Sequence, residues 1–453
     1  SFFLFKCFSS SYFIQYMIQY NRESFGGNEL SREKIYVKNH YRYDAIFIFS
    51  ILAMSIGFFF DSPKEIFDGY INILTSPSHL LTDYMAVGGI GATFFNAGLL
   101  MLLASFVLWK RQQLLTGPII AALFTLFGFS LFGKNLFNTI PITFGVYLYS
   151  KIEGVKFNTL TMNSLFGTAL GPVVSYICFG IGLPFTEGFI ISYAVGIFIG
   201  MLIPALSSSF LRFHQGYSLY NIGFTCGVIG LFIQGVFKSF SLEVTNVKII
   251  SDGNIKIAII MYVFFFIVFG LGFYLNGFSF KNLGNLLKNS GRAPSDFGNI
   301  YGRGISMINM SALGILYTSY VLIMKQPLNG PVLGGIFTIF GFGIFGKHLK
   351  NVFPILVGTL IAYFLNIYDP KSISATVTIL FATNLAPVAG EYGFIAGIFA
   401  GFCHVSIVSS VGLLHGGLNL YNNGFSGGFV AATLVPIFES IRNSRFFDKN
   451  EEE

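Results

Sequence analysis

The feature that most constrains this chain is an apolar stretch, broken by a lysine, that occurs twice at an offset of 213 residues. Residues 117–145 and 330–358 align without a gap and agree at 15 of 29 positions. Each copy places one lysine, Lys134 or Lys347, among hydrocarbon side chains and follows it with an asparagine and a proline. A duplicated segment of this kind predicts two copies of one structural unit and therefore a fold with internal symmetry.

Composition places both copies in a membrane. The 453 residues are 53% hydrophobic and 10% charged, with a mean hydropathy of +0.69, whereas soluble proteins carry about 25% charged residues. Several apolar stretches approach the roughly 20 residues of a spanning helix. The alternating pattern of barrel strands is absent. The sequence therefore predicts an all-α polytopic membrane protein.

Matched landmarks extend the duplication over most of the chain. Asp83 corresponds to Asp296 at the same offset, and the segment HQGYSLYN at 214–221 corresponds to HGGLNLYN at 415–422. Each repeat is predicted to contain about five spanning helices and one broken, re-entrant segment. The predicted divisions are an N-terminal arm, a first membrane repeat, a connector, a second membrane repeat and a cytoplasmic tail, at residues 1–43, 44–238, 239–256, 257–440 and 441–453.

Loop charges predict that the two repeats are inverted. Loop 61–83 has one lysine against four acidic residues, whereas its counterpart, 277–296, has three basic residues against Asp296. Because cytoplasmic loops are enriched in Lys and Arg, equivalent loops are expected on opposite sides of the membrane. Inversion requires an odd number of crossings per repeat, which five spans or seven crossings both satisfy. The expected location is the inner membrane, multi-pass, with both termini in the cytoplasm.

The duplicated lysines are the first candidate functional residues. A lysine at mid-bilayer costs about 2.5–3.5 kcal/mol on insertion scales, so it usually faces a cavity or a partner. One interpretation is a pair of cations that flank a pathway and attract an anion or a carbonyl group. The alternative is a lysine at a hairpin tip that reaches an interface or caps a helix.

Other candidates are polar groups at or near helix interruptions, where freed backbone groups must face protein or water. The Tyr-Asn-x-Gly-Phe segments could line a pore, or could simply start a helix. Paired His214 and His415 could relay protons, or could be structural. The predicted solute-binding set is Lys134, Lys347, Asn138, Asn351, Tyr220, Asn221, Tyr421, Asn422, Asn96 and Asn309.

Several classes of function lack support in the sequence. Four scattered cysteines without CxxC spacing indicate neither a disulfide framework nor a metal site. Motifs for metalloproteases, serine hydrolases and phosphate-binding loops are absent, so we expect no enzyme activity and no cofactor. No basic segment has the character of a nucleic-acid-binding domain. The expected partners are a small-molecule solute and the lipid bilayer, and a homo-oligomer is compatible with the sequence.

The motifs GPxxxxxFTxFGFxxFGK and HxGxxxYNxGF resemble those of a bacterial integral-membrane family of uncharacterised function, over nearly the whole chain from about residue 44. A weaker resemblance is to urea transporters, which imply two inverted halves of five spans and a re-entrant helix each. It is carried by Gly302-Arg-Gly-Ile305 with Asn309, by Asn96 and by the Tyr-Asn-x-Gly motifs. The first repeat lacks the arginine, and lysines within the membrane are not part of that family's pattern.

These observations favour a channel or facilitative transporter for a small polar or anionic solute, with the pathway between the repeats. An ion-coupled secondary transporter of an organic anion is the second hypothesis. A membrane structural or enzymatic subunit without a pathway is the third. No matched acidic pair lies within the apolar segments, which favours the first hypothesis over the second.

Overall fold

The computed structural model describes residues 32–78, 82–242, 244, 249–365 and 369–443, and these form helices and loops with two isolated β-bridges. The helices of the first half are α1 (Arg32–Ile56), α2 (Pro63–Thr75), α3 (Tyr84–Lys110), α4 (Gly117–Phe129), α5 (Leu136–Ile152), α6 (Thr161–Gly167), α7 (Gly171–Phe179), α8 (Phe185–Phe213) and α9 (Asn221–Ser239). Those of the second half are α10 (Ile255–Leu275), α11 (Leu283–Leu286), α12 (Phe297–Ile300), α13 (Arg303–Ile323), α14 (Gly330–Phe342), α15 (Leu349–Leu365), α16 (Ile373–Ala382), α17 (Ala386–Tyr392), α18 (Phe394–His415) and α19 (Asn422–Arg442).

Nine segments of the described chain are long and apolar enough to cross a membrane, with α6–α7 and α16–α17 each counting as one. Counting α1 and α2, which meet at an angle of 113°, as one further broken span gives ten, five in each half. The break inside α6–α7 is a 3-10 turn at Thr168–Leu170 before Gly171-Pro172, and the second repeat has the same break at Thr383–Leu385. The predicted all-helical membrane fold is confirmed.

The duplicated lysine segments form hairpins that start and end on the same face of the molecule. Helix α4 has 13 residues, about 20 Å, which is too short for a hydrocarbon core of about 30 Å. After α5, the chain returns to where α4 began, because Asn158 Nδ2 donates to the Arg111 carbonyl oxygen at 3.0 Å. In the second hairpin, Gln326 Nε2 donates in the same way to the Lys371 carbonyl oxygen at 2.8 Å. Five spans and one re-entrant hairpin therefore make up each repeat.

Equivalent helices of the two repeats pack antiparallel at the centre of the molecule. A Cβ atom on Gly128 of α4 would lie 2.8 Å from the Gly334 carbonyl oxygen of α14, and one on Gly341 would lie 3.2 Å from the Ala121 Cα atom. Residues later in α4 therefore contact residues earlier in α14, so the two helices are antiparallel. Because these helices correspond to one another, the repeats are inverted, as the loop charges predict. The absence of a side chain at these glycines permits the close approach.

The predicted repeat boundaries stay predictions, although helix α1 begins at Arg32, within the segment interpreted as an arm. Most of that arm, residues 1–31, and the end of the predicted tail, 444–453, lie outside the described residues. With the bent pair counted as one span, the number of spans is even, which would put the end of the described chain on the face where its first span begins.

Candidate functional site

Each hairpin turns at a glycine whose backbone conformation only a residue without a side chain adopts easily. Gly133 has φ +104° and Gly346 has φ +93°, and a Cβ atom there would meet a leucine side chain within 2.6–2.8 Å. The lysine comes directly after this glycine in both repeats. The turn therefore places Lys134 and Lys347 at the two hairpin tips, inside the molecule.

Predicted site residues Asn138 and Asn351 start the returning helices. Asn135 and Asn138 exchange side-chain-to-backbone hydrogen bonds of 3.0 Å in a reciprocal cap of α5. His348 and Asn351 form the corresponding pair at α15, with bonds of 2.9 and 3.2 Å. Each amide also donates at 2.9 Å to the carbonyl oxygen of the turn glycine. These two side chains are thus committed to shaping the tips.

Asn96 and Asn309 hold the same tips from the neighbouring spans. Asn96 Nδ2 donates to the carbonyl oxygens of Ser130 and Lys134 at 2.7 and 2.9 Å. Asn309 Nδ2 donates to those of Gly343 and Lys347 at 2.7 and 2.8 Å. Helix ends leave such carbonyls without intrahelical partners, and inside a membrane they need another donor. Asn96 and Asn309 therefore occupy equivalent positions in the two repeats because each stabilises the same hairpin-tip geometry.

Both lysine side chains are fully buried, and their nearest polar partners are neutral. Lys347 Nζ donates to Tyr220 Oη at 2.6 Å and to Thr383 Oγ1 at 2.7 Å, and lies 4.6 Å from the centre of the Tyr220 ring. Lys134 Nζ donates to the Leu165 carbonyl oxygen at 3.1 Å. Among the described residues, neither ammonium group has a carboxylate within 4.0 Å. The site therefore contains two buried lysine side chains without a carboxylate partner in the described chain.

The two lysines have different partners although their surroundings correspond. Tyr421 is the counterpart of Tyr220, but its hydroxyl has no hydrogen-bond partner in the described chain. Thr168 is the counterpart of Thr383 and donates at 3.0 Å to the Leu165 carbonyl oxygen, the acceptor that Lys134 also uses. The same set of groups thus allows two hydrogen-bonding arrangements. The lysine donates either to two hydroxyl groups or to a backbone carbonyl oxygen.

An aromatic row links the two lysines across the repeat interface. The Tyr220 and Tyr421 rings are 4.9 Å apart between centroids, and the Tyr421 and Phe129 rings are 4.7 Å apart. Lys347 lies over Tyr220 at one end of this row, and Lys134 lies 5.2 Å from the Phe129 ring at the other. Lys347 therefore contacts a tyrosine of the opposite repeat directly, whereas Phe129 separates Lys134 from Tyr421.

The tyrosines meet there because α9 and α19 cross at their first turns. A Cβ atom on Gly223 would lie 3.2 Å from the Gly424 Cα atom, so the two motifs touch backbone to backbone. Asn221 and Asn422 are also predicted to bind solute. In this structure their side-chain oxygens accept hydrogen bonds from His214 Nε2 at 3.1 Å and from His415 Nδ1 at 2.6 Å. Both histidines are fully buried, and His214 and His415 do not contact the lysines in any described hydrogen bond.

Sequence reasoning missed two groups of site residues. Thr168 and Thr383 were visible as the first residues of the matched segments TALGP and TNLAP, but nothing in the sequence tied them to the lysines. Asp83 and Asp296 were visible only as a matched pair. Asp83 Oδ1 accepts from the Gly330 amide at 3.1 Å, and Asp296 Oδ2 accepts from the Gly117 amide at 2.9 Å. Each carboxylate therefore caps the hairpin helix of the other repeat.

The site is closed to solvent in this structure. Lys134, Lys347, Tyr220 and Tyr421 expose 2% of their surface or less. Two surface cavities, of about 550 and 360 Å³, lie near loop residues at the periphery and are lined by none of these four. The described residues contain no cluster of three metal-ligating side chains. The geometry offers two ammonium donors and several hydroxyls in a dry aromatic interface.

Comparison with known proteins gives a family without an assigned activity. A family model described as "Protein of unknown function (DUF1576)" matches residues 62–239 and 275–440. No curated protein and no solved structure matches the chain. The two matched ranges cover well over half of the sequence and follow the internal duplication. The chain therefore belongs to the DUF1576 family of proteins of unknown function, as a two-repeat, multi-pass membrane protein.

Proposed function

We propose that the protein passes a small polar or anionic solute across the membrane, as a channel or facilitative transporter, along the interface between its repeats. One observation carries the proposal. Two buried lysines without carboxylate partners lie at the tips of oppositely inserted hairpins, at either end of one aromatic row. Inverted repeats with interrupted helices are the usual setting of transport sites near the membrane centre.

The chemistry of the lysines supports an anion or a carbonyl-bearing solute. Burying an ammonium group costs free energy unless it is paired or hydrogen-bonded, and here the described partners are hydroxyls and one carbonyl oxygen. A solute with negative charge or a strong acceptor would add the missing electrostatic partner. The aromatic walls would favour a small solute, because the rings pack against one another and both lysines are fully buried.

The closed interface indicates that passage needs a conformational change. Tyr220 and Tyr421 touch each other between the two lysines, so a solute could move from one lysine to the other only if this contact opened. The two different lysine settings fit such a change, because Lys134 and Lys347 could exchange hydroxyl and carbonyl partners. A permanently open pore is therefore not part of the proposal.

The test is solute flux into liposomes that contain the purified protein, with chloride, nitrate, acetate and urea as probes. We expect Lys134→Met and Lys347→Met each to lower the initial rate by about tenfold or more, because a charge-assisted hydrogen bond contributes roughly 1.5–3 kcal/mol. Lys64→Met and Lys350→Met are the controls, since these lysines are exposed and lie outside the buried interface. Elution as one folded species verifies that each variant is intact.

The outcomes distinguish the hypotheses. Flux that is unchanged in the Lys134→Met/Lys347→Met double variant would remove the lysines from the pathway. Flux that requires a proton or sodium gradient would support the ion-coupled transporter of an organic anion instead. If none of the probes crossed at any gradient, the third hypothesis, a subunit without a pathway, would replace both.

Charge asymmetry supports an orientation with both termini in the cytoplasm of the cell and the protein in its inner membrane. Tracing the ten spans puts more basic side chains on the face of the chain ends, namely Lys110, Arg111, Lys151, Lys156, Arg212, Lys281, Lys288, Arg292 and Arg442. The opposite face has Lys64, Lys238, Lys256, Lys325 and Lys371. The excess on the first face is typical of cytoplasmic loops.

A further inference from the structure

A basic cavity lies at the ends of α3 and α5, away from the buried lysines. Its volume is about 550 Å³, within the range of roughly 300–1,000 Å³ that small-molecule sites occupy. Three cations line it, Arg111, Lys151 and Lys156, and Glu153 is not among its lining residues. The cavity also has hydrogen-bonding groups from Ser150 and Asn158.

The cations are held in place by aromatic rings. The Arg111 guanidinium lies 4.9 Å from the centre of the Phe157 ring and 5.6 Å from that of Tyr147, and the Lys151 ammonium lies 5.4 Å from the Tyr147 ring. These contacts orient the cations without neutralising them, because a ring carries no net charge. Two helix C-termini end nearby, but their partial charge of about half an elementary charge each does not offset three full positive charges.

A stripe of exposed apolar side chains continues from the cavity into the membrane. Ile140, Phe144, Tyr147 and Lys151 follow each other at spacings of four, three and four along α5, so they share one face of that helix. Ile140 and Phe144 are each 46% exposed. A ligand in the cavity would thus have its charged end among the cations and hydrocarbon available along the stripe.

The basic cavity is present in the first repeat, and its cations are not repeated at the equivalent positions of the second. At the 213-residue offset of the hairpins, Arg111 corresponds to Met324 and Lys151 corresponds to Phe364. The other well-formed cavity, near Lys325, is lined by Asp252 as well. The charge cluster therefore belongs to one repeat and one face only, which points to a ligand found on that side of the bilayer.

We propose that this cavity binds the phosphate of an anionic phospholipid, with an acyl chain along Ile140 and Phe144. Phosphate oxygens accept hydrogen bonds from Arg and Lys, and basic pockets between spanning helices are suited to anionic head groups. The apolar stripe favours a lipid over a free phosphate ion, which would use the cations alone. The site is separate from the proposed solute pathway and does not depend on it.

The test is native mass spectrometry of the full chain in detergent, titrated with phosphatidylglycerol or with phosphatidylcholine of the same acyl chains. We expect preferential binding of phosphatidylglycerol. Arg111→Ala/Lys151→Ala/Lys156→Ala should weaken it about a hundredfold, since each basic residue contributes roughly fivefold. Lys281→Ala/Lys288→Ala/Lys350→Ala removes the same charge from exposed positions elsewhere and should leave binding unchanged.

A second variant guards against misfolding and separates the two sources of phosphate. Lys151→Ala/Lys156→Ala keeps Arg111 stacked on its rings and should still weaken binding about tenfold or more. Ile140→Asn/Phe144→Asn should also weaken lipid binding while leaving the cations in place. Equal binding by the basic-cavity and control triple variants would overturn the proposal. Displacement of phosphatidylglycerol by millimolar inorganic phosphate, with no effect of the stripe variant, would show a free-phosphate site instead.

Discussion

Single residues decide the chemistry at the interface, and Lys347 shows it best. Its ammonium group has two hydroxyl acceptors, one from each repeat, at 2.6 and 2.7 Å. Lys134, the same residue type in the same turn, uses a backbone carbonyl instead. The turn geometry is shared, and an equivalent tyrosine and threonine lie near both tips, so the two lysines differ only in the acceptor that each one uses. Sequence symmetry therefore does not translate into chemical symmetry at this scale.

This asymmetry predicts unequal effects of two equivalent substitutions. Tyr220→Phe removes an acceptor of the buried Lys347 and should cost about 1–3 kcal/mol of stability, whereas Tyr421→Phe removes a hydroxyl without a described partner and should cost much less. The measurement is the melting temperature of each variant in detergent. Equal losses would mean that both hydroxyls are bonded equally in solution.

At the scale of elements, each hairpin helix is capped by a carboxylate from the opposite repeat. Asp83 caps α14 and Asp296 caps α4. Each also caps the helix that follows it in its own repeat, which is α3 for Asp83 and α12 for Asp296. A carboxylate at a helix N-terminus accepts from free amides and interacts favourably with the helix dipole. The two repeats are thereby joined at both faces.

Removing these caps should loosen the contact between repeats. We expect Asp83→Ala and Asp296→Ala each to destabilise the protein by about 1–2 kcal/mol, lowering its melting temperature in detergent. The effects should add in the double variant, because the caps lie at opposite ends of helices about 20 Å long. Asp68→Ala, at an exposed position, is the control. A clearly non-additive double variant would indicate that the two faces are coupled.

At the scale of the whole molecule, ten spans in two inverted repeats place equivalent loops on opposite faces. The loop after α1 and the loop after α10 correspond in sequence, but α1 and α10 cross in opposite directions. This geometry puts Asp68 of α2 and Lys281 of the second loop on different sides of the membrane. With the proposed orientation, Lys281 faces the cytoplasm.

Cysteine labelling tests this arrangement directly. In intact cells, a membrane-impermeant maleimide should label Asp68→Cys, and it should label Lys281→Cys only after the membrane is made permeable. Both positions are exposed, so access is set by the side of the membrane alone. The parent protein, with its native cysteines, measures background labelling. Labelling of both positions in intact cells would contradict inversion, and the reverse pattern would contradict only the orientation.

The sequence by itself determined the class, the duplication, the inversion and the position of the hairpins. These properties depend on hydrophobic length, repeated motifs and loop charge, which are local and additive along the chain. It also led to Lys134 and Lys347, because a lysine in an apolar run is costly wherever that run folds. The starts of two helices follow as well, since α4 and α14 begin at Gly117 and Gly330, the first residues of the two repeated stretches.

Only the tertiary structure decided what the polar residues do. Asn96, Asn138 and their counterparts hold the hairpin tips, and Asn221 and Asn422 pair with histidines, although all were equally plausible as solute ligands from their types and positions. Tyr220 reaches Lys347 of the opposite repeat only because the two repeats pack against each other with their equivalent helices antiparallel. Hydrogen-bond partners hundreds of residues apart depend on that packing, and no local pattern encodes it.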